Sequence, residues 1–330
     1  MVATRRATIN MVADIACVSR QTVSNVINAP HLVRDETRQR VVDAIATLGY
    51  QPNEAARTLR VGRSRLLAVL IDKTDHDADR IESSQFLEGL VQAAERSSFH
   101  FMMHGATELN TYKDLQTSYR PAGFVLSSTR HWKVRTEWLV ESDVPFVAFG
   151  RPPDGLRHSH WVDFDDSAGV AEITRHLFLA GHRRIAFVDR ADDATNGESA
   201  RRTGWAQSML EGGEELVGLE RRVTNGIAHG ERAAADLLGT PRPPTAIVCG
   251  SDSLAAGALR ACAAAAPATV VTGYGNTPLA AALGFTSVDR RIAHAATHCV
   301  DILTGLIEGE DRMPVRQVML KPRIVLRAGA

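Results

Sequence analysis

Ten consecutive residues, Ser19-Arg20-Gln21-Thr22-Val23-Ser24-Asn25-Val26-Ile27-Asn28, concentrate hydrogen-bonding chemistry without a single acid. Arg, Gln and Asn make paired bonds to base edges, and Ser and Thr suit phosphate oxygens. Val23, Val26 and Ile27 recur at i, i+3, i+4, so the stretch reads as one short helix with a packing side and a polar side. A second set of candidates follows predicted strands: Asp72, Ser127, Arg151, Asp189, Ser251, Asp252, Tyr274 and Asn276. Ligands in parallel sheets sit beyond the carboxyl ends of strands, and this mixture of neutral and charged groups suits a polar, sugar-sized molecule.

The elements that must position the first set lie on either side of it. Thr8 or Asn10 can cap a helix over 11–17, with Val12, Ile15 and Ala16 apolar on one side. A turn at Cys17-Val18-Ser19 leads to Ser19 as the cap of the next helix. Two helices joined so tightly form a helix-turn-helix, whose second helix enters the major groove. A third helix spans 35–48, with Thr37, Val41, Val42, Ile45 and Leu48 inward and Gly49 at its end. Pro52 then breaks the chain, and Asn53 caps a segment of two turns reaching Arg60. Helices that short need a partner, so the segment is a candidate for ordering on binding.

From residue 66 onward short apolar strands alternate with amphipathic helices. The strand candidates are 66–71, 100–104, 123–126, 145–149, 159–162, 184–188, 220–223, 246–249 and 269–272. Helices fit at 83–97, 168–180, 199–211, 230–238 and 253–264. Such alternation makes parallel sheets covered on both faces. For 330 residues, two sheets divided near Gly181-His182 fit better than one.

Charge divides the same way. Residues 1–65 hold 10 Arg and no Lys against 5 acids, a net +5, and the remainder is −5. A basic head on an acidic body fits a local polyanion partner. Arg outnumbers Lys 34 to 4, which reads as GC-rich, bacterial coding. No apolar run is long enough to span a bilayer and no secretion signal is evident. Four cysteines without C-x-x-C spacing fit buried free thiols in a reducing cytoplasm.

Several motifs carry a family resemblance. They are Thr-Val-Ser-x-Val-x-Asn (22–28), Thr-Arg-x-Arg-Val (37–41), Ala-Ile-x-x-Leu-Gly-Tyr-x-Pro-Asn-x-x-Ala-Arg-x-Leu-Arg (44–60) and Gly-Arg-Ser (62–64). Further on come Asp-x-Asp-x-x-x-Gly (163–169), His-Leu-x-x-x-Gly-His-Arg-Arg-Ile-Ala-Phe (176–187) and Arg-x-x-Gly-Trp (201–205). The chain resembles the lactose/galactose-repressor (LacI/GalR) family of bacterial transcription regulators throughout, most densely over 8–65.

The resemblance implies an α/β protein with a helix-turn-helix head (1–51), a hinge helix and linker (52–62) and a periplasmic-binding-protein-like body (63–330). That body has one subdomain of about 63–180 plus 291–318 and another of about 181–290 plus 319–330. It implies base reading by Arg20 and Gln21 and backbone contacts from Thr8, Ser19, Thr22 and Ser24. Leu59 matches a minor-groove wedge, and Asn25, Asn28, Asn53, Ala56 and Arg57 complete the DNA-contacting set. Arg201 matches an effector-binding Arg whose fork holds vicinal oxygens. Trp205 reads equally as a pocket wall or as core, and Ser251 and Asp252 either face the pocket or cap the helix after them. A homodimer on near-palindromic operator DNA and a carbohydrate effector follow as expected partners, with no membrane partner and no cofactor.

Four departures stand out. Met11 stands where the family usually has an acid, Cys17 occupies a turn position that is usually Gly, Asn25 one that is often Arg, and Gly275 one that usually bears a carboxylate. Gly275 keeps a nucleoside-type effector open. A sugar sensor or an enzyme on the same body remain the readings from other classes; no acid–base or nucleophile set assembles at the strand ends. No His-x-x-x-His pair falls on a predicted helix, and His294…His298 comes among the nearest, so no metal site is expected.

Overall fold

The computed structural model describes residues 7–50, 64–71, 79–105, 108–126, 132–152, 159–191, 199–309 and 314–327, without the side chains of Asn28, 79–83 and Ala94. It divides into two units, Met1–Ser64 and Arg65–Ala330, which are described separately.

The head comprises α1 (Ile9–Ala16), α2 (Arg20–Asn28), a single 3-10 turn at Pro30–Leu32, and α3 (Asp35–Leu48). Thr8 caps α1 by accepting the Met11 amide at 3.4 Å. Ser19 caps α2 by accepting the Thr22 amide at 3.0 Å, so one orphan amide at each start is satisfied. Gly49 ends α3 at φ 59°. Val12, Ala16, Val23, Val26, Val41 and Ala44 form the core. Ile15 and Val42 were expected inside, but both are exposed. The inner stripes run through Val12, Ala13 and Ala16 on α1 and Val41 and Ala44 on α3, turning the adjacent Ile15 and Val42 outward.

In the body the first sheet contains β1 (Leu66–Leu70), β2 (His100–His104), β3 (Gly123–Leu126), β4 (Phe146–Phe149) and β5 (Trp161–Phe164). Its helices are α4 (Asp79–Arg96), α5 (Leu109–Ser118) and α6 (Trp132–Glu141). After α7 (Asp166–Leu179) come β6 (Ile185–Arg190), α8 (Ala200–Glu211), β7 (Glu220–Val223) and α9 (Ile227–Leu238). Then follow β8 (Ala246–Cys249), α10 (Asp252–Ala265), β9 (Val270–Tyr274), α11 (Pro278–Leu283) and β10 (Ser287–Asp289). The chain closes with α12 (Ile292–Glu308), β11 (Gln317–Leu320) and β12 (Arg323–Val325).

The first sheet runs β11-β5-β4-β3-β1-β2 and the second β12-β10-β9-β8-β6-β7. All pairings are parallel except β10 with β12. Read from the opposite edge, each sheet repeats one doubly wound strand order, so each has a switch point, between β1 and β3 and between β6 and β8. Near-continuous apolar strands such as Leu66–Leu70 and Ala246–Cys249 fit this burial on both faces.

The chain passes between the two cores three times. The first passage follows Phe164, because Val170, Ile173 and Leu177 of α7 pack into the second core with Ile185 and Trp205. The second follows Asp289, since Ile292, Ala295 and Cys299 of α12 return to the first core. The third is Lys321-Pro322, which separates β11 in the first sheet from β12 in the second. The lobe limits read from the sequence, 180 and 318, lie beyond the first and just before the third. One strand reading also moves, β5 being displaced from 159–162, and β10 is too short to signal itself by pattern.

Candidate functional site

On α2 the side chains of Arg20 and Gln21 are exposed, and Thr22 and Asn25 are partly so. Gln21 Nε2 donates to Asn25 Oδ1 at 2.9 Å, pre-aligning two amides one turn apart. Ser19 and Thr22 hydroxyls pair at 2.9 Å beside the helix N-terminus, where phosphate oxygens are favoured. Ser24, expected to contact DNA, is buried. The Asn28 side chain and Asn53, Ala56, Arg57 and Leu59 lie outside the described residues. Cys17 carries the turn at φ 54°, ψ 47°, its amide reaching the Ala13 and Asp14 carbonyls. This left-handed position is the one the sequence departure flagged.

In the body the strand-end residues separate into two groups. Asp189 is the next-to-last residue of β6 and is 1% exposed. Arg201, in the first turn of α8, places Nε 3.4 Å from Asp189 Oδ1 and Nη1 3.9 Å from Asp166 Oδ2. Asp166 opens α7, and its Oδ1 accepts the Tyr274 hydroxyl at 2.7 Å and faces Arg290 Nε at 3.2 Å. Arg201 lies over the Tyr274 ring at 5.6 Å, and Arg290 over Phe164 at 4.3 Å.

Gly204 permits this cluster. A Cβ there would overlap the Ser167 carbonyl oxygen, so only glycine lets α8 approach α7 closely enough to bring Arg201 to Asp166. Burial and the Asp166 charge push the Tyr274 hydroxyl pKa well up, so it stays a donor. Burial also raises the Asp163 carboxyl, and Asp166 adds to the effect while Arg290 opposes it.

The remaining residues hold the fold. Trp205 is fully buried, donates Nε1 to the Ile185 carbonyl at 3.1 Å and stacks on Phe187 at 5.5 Å. It is core, and the pocket-wall reading fails because no edge of the ring is open. Ser251 caps α10 through the Leu254 amide and donates to Asn225 Oδ1 at 2.6 Å. Asp252 accepts the Thr277 amide and the Ser287 hydroxyl, and burial raises its pKa against those bonds. Asn276 accepts from Arg327 at 2.7 Å while its amide bonds Ser287. Both therefore tie the β9–α11 turn to β10 and the C-terminal segment. Arg151 is exposed and lies over Trp161. Asp72 and Ser127 fall outside the described residues.

Sequence reasoning left Asp166 as an unassigned position inside the 163–169 motif and passed over Arg290. The doubled acid before α7 and the doubled Arg after β10 were the available signals. It named His294 and His298 without placing a helix there: α12 is a helix, so the two stand one turn apart, ring centroids 6.4 Å. Among the described residues no group of three His, Cys, Asp or Glu forms a metal-holding cluster, and none of their helices is long and apolar enough to cross a membrane. A groove of about 250 Å³ outside α7, lined by Ala168, Gly169, Glu172, Arg175, Lys321 and Pro322, contains none of the expected ligand residues.

Comparison with known proteins joins these two sites. Residues 8–53 match the bacterial regulatory proteins of the lacI family, and residues 174–329 match the periplasmic binding protein-like domain. The chain is 30% identical to the HTH-type transcriptional regulator CelR of Thermobifida fusca, over 98% of this chain and 99% of that protein. The chain belongs to the LacI family. This LacI-family protein is also 31% identical to the HTH-type transcriptional regulator AglR of Rhizobium meliloti (strain 1021), over 77% of its own length and 72% of the relative's. A structure described as the transcriptional regulator CelR–cellobiose complex superposes with TM-score 0.69 at 27% identity, covering 98% and 100% of the two chains. The lac repressor dimer bound to operator and the anti-inducer ONPF gives TM-score 0.81 at 22% identity, covering 98% and 99%, and attests the fold. The protein is a DNA-binding transcriptional regulator.

Proposed function

We propose that the protein is a repressor that binds a near-palindromic operator as a homodimer and whose affinity is set by a small sugar or sugar derivative. The observation that carries the effector half is the Asp189–Arg201–Asp166–Arg290–Tyr274 cluster at the carboxyl ends of the strands. It sits where open α/β sheets take ligands, and it joins residues of both lobes. One relative is described in complex with cellobiose.

In this reading each head places α2 in a major groove, with Arg20 and Gln21 on base edges and Ser19 and Thr22 on phosphates. The segment 53–60 orders on the operator, with Leu59 in the minor groove. A ligand between the lobes shifts the balance among Asp166, Arg201 and Arg290, which face one another across the passages of the chain. Ligand and operator then favour different states, so each changes the affinity for the other by the same factor. The ligand acts as inducer or as corepressor according to which state it prefers.

Thermal-shift screening of the full-length chain against neutral sugars and nucleosides tests the effector class. A sugar among the stabilising compounds is the expected result. Stabilisation by nucleosides alone would move the protein to the nucleoside reading that Gly275 left open.

A further inference from the structure

Asp189 is distinguished from Asp166, whose Oδ1 accepts the Tyr274 hydroxyl, by what it lacks. It is 1% exposed, yet neither carboxylate oxygen has a hydrogen-bond partner. Its nearest cation, Arg201 Nε, stands at 3.4 Å, well beyond the roughly 2.7–2.9 Å of a charge-assisted hydrogen bond. A desolvated carboxylate without donors is costly and is rare in a folded protein. It is met where a partner group arrives later.

Its place in the sheet says where that partner comes from. Asp189 is the next-to-last residue of β6, and β6 and β8 flank the switch point of the second sheet. The first residue after β8 is Gly250, where a Cβ would overlap Asp189 Oδ1. The absence of a side chain at 250 is what gives the carboxylate its room at the crevice that doubly wound sheets offer to ligands.

The charges around it restrict the ligand further. Among the described residues the cluster holds Asp166 and Asp189 against Arg201 and Arg290, with Asp163 acting electrostatically on Asp166 and Arg290. Both guanidinium groups already face carboxylates. A phosphate or carboxylate on the ligand would add negative charge beside three acids, and a buried charge without a counter-ion is strongly penalised. Hydroxyl groups carry no such penalty, and each brings the donor that Asp189 needs.

We propose that Asp189 is the hydroxyl-accepting residue of the effector site and that the effector is an uncharged, polyhydroxylated sugar without phosphate or carboxylate. This rests on the effector reading above and narrows it to one chemical class and one specificity-determining side chain.

The test uses the full-length protein with glucose, galactose and cellobiose, their monodeoxy derivatives, and glucose 6-phosphate and glucuronate, followed by calorimetry. At least one neutral sugar binds wild type, and both anions bind at least about tenfold more weakly than glucose. Asp189→Asn weakens the neutral sugar by about ten- to a hundredfold, the range for a hydrogen bond to a charged group. One monodeoxy derivative binds wild type and Asp189→Asn alike, because the hydroxyl whose bond to the carboxylate the variant weakens is already gone. If Asp189→Asn does not fold, Asp189→Ser carries the same comparisons. Equal sugar affinity in variant and wild type overturns the role of Asp189 and leaves the sugar reading standing. An anion binding as tightly as its neutral parent overturns the uncharged class. Wild type binding none of these sugars overturns this inference together with the sugar reading.

Discussion

Asp166 and Arg290 stand at the first and second passages of the chain between the two lobes, and their side chains meet at 3.2 Å. Tyr274, at the end of β9, adds a 2.7 Å bond to the same carboxylate oxygen. The pair therefore pins two of the three connecting segments to one another, and whatever pulls on Asp166 is felt at both.

Replacing Arg290 by Met keeps an apolar stem over Phe164 and removes the charge. Removing one partner from a buried pair costs more than the pair contributes, because the other is left uncompensated. Tyr274 still serves Asp166, so the loss is expected at about 1–3 kcal/mol, at the lower end of such cases. Urea unfolding of the protein checks this, with protection from hydrogen exchange falling at the N-termini of α7 and α12. An unchanged midpoint would mean that the passages are held by packing alone.

Cys17 spends the turn of the head in the left-handed region. A residue with a Cβ pays about 1–2 kcal/mol there, and glycine gives back part of it in chain entropy, so Cys17→Gly should stabilise the head by about 0.5–1 kcal/mol. Slower hydrogen exchange in α1–α3 is the readout, and faster exchange would contradict it.

His160 accepts the Arg316 amide at Nδ1, 3.1 Å away, linking the start of β5 to the approach of β11. Burial first, then the Arg316 charge, holds its pKa below the ordinary 6.5. The folded protein thus refuses a proton that the unfolded chain accepts. This contribution is intact above pH 6.5 and is lost as pH falls from there toward the lowered folded value. His160→Asn keeps an acceptor without the titration, so its urea midpoint should vary less between neutral and mildly acidic buffer than that of wild type. Parallel pH profiles would sink the assignment.

Arg20 and Gln21 are the exposed side chains at the start of α2. Replacing Arg20 by Ala should weaken operator binding by about 1–3 kcal/mol and relax preference at one base pair, with a smaller change on unrelated DNA at the same salt. Equal losses on both duplexes would make Arg20 a phosphate contact instead.

What could be read from the sequence depended on the range of the interactions. Ser19 as a cap, Gly49 as a helix end and the apolar strands are decided within a few residues, and the fold followed from them. The cluster was only half legible. Asp189, Arg201 and Tyr274 were found because each follows a strand or fits a motif. Asp166 was missed because its role depends on Tyr274, 108 residues away, and locally it looks like a helix-starting acid. Arg290 was hidden behind β10, which at three residues has too little pattern to announce a strand end. Trp205 could not be assigned at all, since a core ring and a pocket wall share one sequence signature, and only its bond to Ile185 and its stack on Phe187 decide between them.

The central claim is that operator affinity answers to an uncharged sugar. It is tested most directly by selecting an operator duplex from a random library with the full-length protein and measuring affinity by fluorescence anisotropy at fixed salt. The account predicts specific binding at about 10⁻⁸–10⁻¹¹ M and a change of about tenfold or more when a neutral sugar that binds the body is saturating, a coupling within the usual 1–3 kcal/mol. The same affinity with and without every sugar the protein binds would contradict it.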